Sequence, residues 1–165
     1  MAKVMSQAFP RLLALAPFVG LLGLAGSTAL LLPAWGASGW GRELLVISLF
    51  WLVGIQSLIS AAEHLCCPDA LAEARGWSKG SPFQREIAVA YVAFGVLGIF
   101  AGAFGVDFWA ATILGFAIFT WGGVAGQAAE LTAHHQIELG SAATTFAYEV
   151  LVPAYLILLY MLTRG

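Results

Sequence analysis

The stretch LLVISLFWLVGIQSLISAAEHL, residues 44–65, decides the fold class. It carries no charged residue before Glu63, and a helix needs about 20 apolar residues to cross the hydrocarbon core of a bilayer. Four other stretches of the chain have the same character. The sequence therefore predicts an all-α, polytopic membrane helix bundle of five transmembrane helices. We assign one integral membrane domain, residues 1–165, with spans at about 10–33, 44–65, 83–104, 108–131 and 144–162.

Composition supports a membrane protein and excludes some other classes. Of the 165 residues, 61% are hydrophobic and only 10% are charged, and the mean hydropathy is +0.89, whereas a soluble domain needs more charge on its surface. The net charge of -2 and the absence of a basic cluster argue against a nucleic-acid partner. The expected partner is the lipid bilayer. No nucleophile elbow, phosphate loop or dinucleotide fingerprint is present, so the sequence indicates no enzyme class.

The distribution of basic residues predicts the orientation. With five spans, the amino terminus and the second and fourth loops share one side of the membrane, and this side is the more basic. It carries Lys3, Arg11, Arg75, Lys79 and Arg85, against Arg42 and Arg164 on the other side. The amino terminus is therefore predicted in the cytoplasm, and the carboxyl terminus outside the plasma (inner) membrane. The first span is longer than the apolar part of a signal peptide and lacks a clear cleavage site, so we expect it to be retained.

Glycine pairs predict close helix packing. Gly98 and Gly102 are four residues apart, as are Gly122 and Gly126. Such small-xxx-small pairs let membrane helices approach closely. This packing could lie within one chain, in a homo-oligomer or in a larger membrane complex.

Polar residues inside the spans are the candidate functional residues. Ionisable groups facing lipid are costly, so they normally face the bundle interior. Under the predicted topology these residues lie in one leaflet, the cytoplasmic one. They are Gln56, Ser60, Glu63 and His64 on the second span, Glu86 on the third, Thr120, Gln127, Glu130 and His134 on the fourth, and Glu149 on the fifth.

Several chemistries fit this set. Imidazoles and carboxylates that converge from several helices can bind iron, manganese or zinc. However, the Glu-x-x-His spacing of di-iron bundles is absent. A polar plug that only holds the helices together, a proton or ion pathway through a buried carboxylate, and haem or quinone binding stay open. The predicted metal ligands are His64, Glu86, Glu130, His134 and Glu149.

The start of the third span, GWSKGSPFQREIAVAYVAFG at residues 76–95, suggests a capped helix. Ser81 is placed to cap it, and Gln84 follows three residues later as in a capping box. Successive helical residues are about 100° apart, so Arg85 can reach water while Glu86 turns inward. We expect Glu86 to meet His64 and Glu149 there.

The same region resembles a known family. The run ARGWSKGSPFQREIAVAYVAFGVLGI, with His64 before it and AYEVLVP near the end, is similar to small multi-pass bacterial and archaeal membrane proteins with a GW-x-x-GSPFQ-x-E signature and no established activity. The resemblance implies roles for His64, Gln84, Glu86 and Glu149. This chain has Gln127 where the family pattern has His, and Glu149 where Asp is usual, and the loss of an imidazole weakens a shared metal site.

Together these patterns predict a small integral membrane protein with a buried His/carboxylate cluster. We expect His64, Gln84, Glu86 and Gln127 to line a cofactor site, and the function to be metal-binding or redox-associated. The alternatives are a structural or accessory subunit of a larger membrane complex and a proton-coupled transporter.

Overall fold

The computed structural model describes residues 18–34, 40–75, 79–134 and 139–164; the side chains at 74–75, 130–134 and 139–144 lie outside that description. Within these ranges the chain is helical and contains no strand. The long helices are apolar, as a bilayer requires, because backbone polar groups in hydrocarbon must bond within their own helix. The prediction of an all-α membrane helix bundle is confirmed.

The described residues form six helices. Four of them, α2, α4, α5 and α6, are long and apolar enough to cross a membrane, and α1 is a shorter apolar helix. The first predicted span includes residues 10–17, which lie outside the described residues. The helices are α1 Phe18–Ala34, α2 Trp40–Cys66, α3 Pro68–Arg75, α4 Phe83–Phe100, α5 Val106–His134 and α6 Leu139–Thr163.

Helices α2 and α4 cross at two glycines. A Cβ added to Gly98 would meet the backbone of Gly54 and Leu49, and one added to Gly54 would lie 2.9 Å from the backbone N of Ile99. At this crossing α2 widens into a π-helical segment, Leu49–Ile55. The close approach expected at Gly98 is therefore present within one chain. A Cβ at Gly102 would only make ordinary contact, 3.4 Å from Val46.

Helix α1 lies against the middle of α2. The backbone N–H of Gly20 donates to Gln56 Oε1 at 3.0 Å, and Trp51 Nε1 donates to Ser27 Oγ at 2.8 Å. Gly23 faces the Trp51 ring so closely that a Cβ there would overlap it. Small residues on α1 thus make room for a large ring on α2.

Helix α6 packs against both α2 and α5. Two tyrosines of α6 bond to α2: Tyr155 OH lies 2.9 Å from Ser48 Oγ, and Tyr148 OH donates to the carbonyl of Leu52 at 2.9 Å. Around them lies the apolar core, which draws on α2, α5 and α6. It includes Leu45, Leu49, Leu52, Val53, Ile113, Phe116 and Leu156.

Helix α4 starts without the predicted capping box. Its N-cap residue is Pro82, and no side chain makes a capping hydrogen bond. The backbone N–H of Gln84 instead bonds to the Ser81 carbonyl at 3.3 Å. The prediction was wrong because the Gln84 side chain is used elsewhere, in a bond to the carbonyl of the first residue of α3, Pro68.

Candidate functional site

His64 lies near the end of α2, in the interface with α4. It is only 1% exposed, and its ring stacks on Tyr91 with the ring centroids 5.8 Å apart. Tyr91 in turn meets Phe119 of α5 edge-on at 5.0 Å. The imidazole is therefore inside the bundle, as the sequence suggested, and one of its faces is covered by an aromatic ring.

Gln84 fastens the start of α4 to the segment that follows α2. Its side chain is 3% exposed, and Nε2 donates to the carbonyl of Pro68 at 3.0 Å. Its Oε1 is buried and has no hydrogen-bond partner in the described part of the chain. Ala88 and Tyr91 continue the same buried face of α4.

Glu86 does not join this interior. It is exposed, so the expected meeting with His64 and Glu149 is not seen. The reason is helical periodicity: two residues correspond to about 200° of rotation. Because Gln84 faces inward, Glu86 faces outward.

Glu149 is buried on α6, as expected, at 7% exposure. Its Oε2 accepts a hydrogen bond from Gln127 Nε2 of α5 at 3.3 Å. Nearby, Trp121 Nε1 donates to the Val150 carbonyl, also at 3.3 Å. Gln127 thus joins α5 to α6.

These polar residues lie towards one end of the bundle. The bond between Gln84 and Pro68 places the end of α2 beside the start of α4. Helices α4 and α5 are joined by a short turn that ends at Gly105, so they run antiparallel and the end of α5 lies towards the start of α4. The residues therefore share one end of the bundle, and their common leaflet stays a prediction.

The metal interpretation gains no support from the described residues. Among them no group of three or more His, Cys, Asp or Glu side chains could hold a metal ion. Of the predicted ligands, His64 and Glu149 are buried and Glu86 is exposed. Glu130 and His134 belong to α5, but their side chains lie outside the described part. The full ligand set thus stays a prediction.

The polar aromatic residues within the spans follow no sequence pattern that marks them as contacts between helices. Trp51, Tyr148 and Tyr155 each donate or share a hydrogen bond between helices. A buried Tyr or Trp usually needs a polar partner. That rule applied to the spans would have indicated these residues, although not their partners.

The segment between α2 and α4 carries titratable groups outside the spans. Lys79 Nζ lies 2.8 Å from Glu73 Oε2, and this exposed pair lowers the pKa of Glu73 and raises that of Lys79. Burial, and then the nearby Cys66 and Glu63, raise the pKa of the Cys67 thiol. Both cysteines are free, and Cys66 is exposed.

Together, the fold and its interior define a small helical membrane protein whose buried polar side chains bond between helices. The chain belongs to a family of unknown function, DUF6790, whose family model matches residues 9–165. The expected membership of an uncharacterised family is confirmed. No curated protein and no solved structure matches the chain.

Proposed function

We propose that the protein is an accessory or structural subunit of a membrane assembly. One observation supports this role above the others: polar side chains of the interior bond from one helix to another. Gln56 bonds to α1, Tyr148 and Tyr155 bond to α2, Gln127 bonds to α6, and Gln84 bonds to the segment after α2. An interior used to hold helices together leaves the outer surface to carry the function.

The second half of α5 is the surface best suited to a partner helix. Cβ atoms added at Gly122, Gly123 or Gly126 would have no described atom within 4 Å, and all three glycines are exposed. Glycine is a poor helix former, by about 1 kcal/mol relative to alanine, and small residues in membrane helices favour close helix contacts. These glycines contrast with Gly98, whose small size is needed inside the chain.

The test compares wild type with Gly126→Leu and a control, Ala93→Leu, which adds bulk on an exposed face of α4. Each protein is purified at native abundance in mild detergent, and its mass, composition and melting temperature are measured. We expect wild type and Ala93→Leu to keep a stoichiometric partner chain, and Gly126→Leu to lose it at an unchanged melting temperature. A wild-type protein of monomer mass would contradict the proposal.

A metal-binding or redox-associated role needs side chains beyond the described ones, above all Glu130 and His134. Elemental analysis of the same wild-type sample tests it directly. Stoichiometric iron, manganese or zinc would replace the accessory role with a metal-dependent one.

A proton-coupled transporter is the second candidate, and the burial of Glu149 within a span favours it. Ionisable residues inside membranes often mark proton or ion pathways. Proteoliposomes with an internal pH dye test this function. Proton flux in wild type that is absent in Glu149→Gln would favour transport over the accessory role.

The orientation also stays a proposal, supported by the five-to-two distribution of Lys and Arg. A reporter that is active only in the cytoplasm should work when fused at residue 75 or 138. It should fail at residue 37 or after residue 165. The opposite pattern would place His64, Gln127 and Glu149 in the outer leaflet instead of the cytoplasmic one.

A further inference from the structure

Two arginines lie at the end of the bundle opposite to His64. Arg42 lies in the first turn of α2, and Arg164 follows the last turn of α6. These two turns are in contact, because a Cβ added to Gly41 would lie 3.0 Å from Thr163 Cγ2. Arg42 follows Gly41 in the sequence, and Arg164 follows Thr163. The helix turns that carry the two arginines are therefore adjacent.

Each guanidinium lies over a buried aromatic ring. Arg42 Cζ is 5.5 Å from the centre of the Trp109 ring, and Arg164 Cζ is 5.5 Å from the centre of the Tyr160 ring. Trp109 is itself fixed, since its Nε1 donates to the Ala101 carbonyl at 2.7 Å. Stacking on a ring holds a guanidinium by one face and leaves its N–H edges available.

Neither guanidinium forms an ion pair with a described residue. Glu43 and Asp107 are exposed near this end, in the first turns of α2 and α5. At these positions each carboxylate interacts favourably with the positive end of its own helix dipole.

We propose that Arg42 and Arg164 bind a phosphate-bearing anion at the membrane surface. The planar N–H edge of arginine matches the oxygens of a phosphate group and can make two hydrogen bonds to it. Both arginines stand at the ends of helices long and apolar enough to cross a membrane, where a bilayer has its headgroups. The anion is the headgroup of an anionic phospholipid or free phosphate. This site does not depend on the proposed accessory role.

The test uses the full-length protein in nanodiscs of phosphatidylcholine with increasing phosphatidylglycerol. Affinity for phosphatidylglycerol is measured by native mass spectrometry and by the rise in melting temperature. An arginine near an anionic surface contributes about 1 kcal/mol, which corresponds to about five-fold in affinity. We expect about a five-fold loss in Arg42→Gln or Arg164→Gln, and about 30-fold in the double variant.

Two controls make the result specific. Arg85→Gln removes an equal charge from an exposed position at the other end of the bundle and should lose less affinity than either site variant. Arg42→Lys keeps the charge but loses the planar edge, and should bind with intermediate affinity. Because both arginines of the site lie at the surface, the variants should keep the wild-type melting temperature in phosphatidylcholine alone.

A parallel titration with inorganic phosphate in pure phosphatidylcholine nanodiscs identifies the source of the anion. Arginine-dependent binding of inorganic phosphate assigns a soluble anion, and binding of phosphatidylglycerol alone assigns a lipid. Wild-type affinity of the double variant for both ligands would overturn the proposal. So would an equal loss of affinity in Arg85→Gln.

Discussion

Replacing Gly98 by alanine tests the helix crossing at the centre of the bundle. The added Cβ would lie 2.6 Å from Gly54 Cα and 2.7 Å from the Leu49 carbonyl oxygen. Non-bonded carbon atoms prefer separations of about 3.5–4.0 Å, so α2 and α4 would have to move apart by roughly 1 Å. Both neighbours are backbone atoms, and no change of rotamer can relieve the overlap. Overpacking of this kind costs about 1–3 kcal/mol, and we expect the upper part of that range.

Gly126→Ala is the matched control. The same substitution on α5 would place a Cβ with no described atom within 4 Å. Alanine is the better helix former by about 1 kcal/mol. The free energy of unfolding of the isolated protein should therefore stay the same or rise by up to about 1 kcal/mol.

The assay is denaturant unfolding of both variants and wild type in the same detergent micelles, followed by circular dichroism. The expected result is a loss of stability in Gly98→Ala and none in Gly126→Ala. A Gly98→Ala protein within about 0.5 kcal/mol of wild type, the usual range for a harmless surface change, would refute the close crossing. An equal loss in both variants would show that the two glycines do not differ as the structure indicates.

Two further predictions concern the segment where α2 meets α4. Gln84→Leu should lower the free energy of unfolding by about 1 kcal/mol, the net value of one hydrogen bond. Glu86→Gln should leave it within about 0.5 kcal/mol of wild type, because Glu86 is exposed. Equal effects in the same unfolding assay would contradict the burial of Gln84 and the exposure of Glu86. In maleimide labelling from pH 7 to 9, Cys66 should react faster than Cys67, because the raised pKa of Cys67 leaves less thiolate at a given pH. Mass spectrometry of the single variants Cys66→Ser and Cys67→Ser measures both rates. Faster labelling of Cys67 than of Cys66 would contradict the raised pKa of Cys67.

The membrane helices could be predicted because hydropathy depends on composition over some 20 residues, which is a property of the sequence alone. The rotation of each helix could not be predicted to the same degree. Gln84 and Glu86 are both polar, and both lie in the first turn of α4, yet only Gln84 is buried. Which of the two is buried depends on where α2 ends, because the next helix then presents the carbonyl of Pro68 to Gln84. That contact is tertiary and leaves no local pattern.

The glycine pairs show the same limit. The spacing of Gly98 and Gly102 equals that of Gly122 and Gly126, so the sequence predicts equal packing for both pairs. In the structure only Gly98 lies against another helix backbone, and both glycines of the second pair are open. Spacing identifies a helix face on which close contact is possible. Whether that face is used within the chain depends on the arrangement of the neighbouring helices.

Helix α2 explains why so many polar residues lie within one apolar span. It contacts α1 through Gln56, α6 through Ser48, and α4 along the face that includes His64. A helix surrounded on three sides has little lipid-facing surface, so its polar residues can be placed by their partners rather than by the bilayer. Since a polar group left without a partner in hydrocarbon is costly, each such bond also fixes the register of two helices. A stripe of polar residues on a central helix is therefore expected from its position alone. Only polar side chains that are not needed for bonds between helices indicate a ligand.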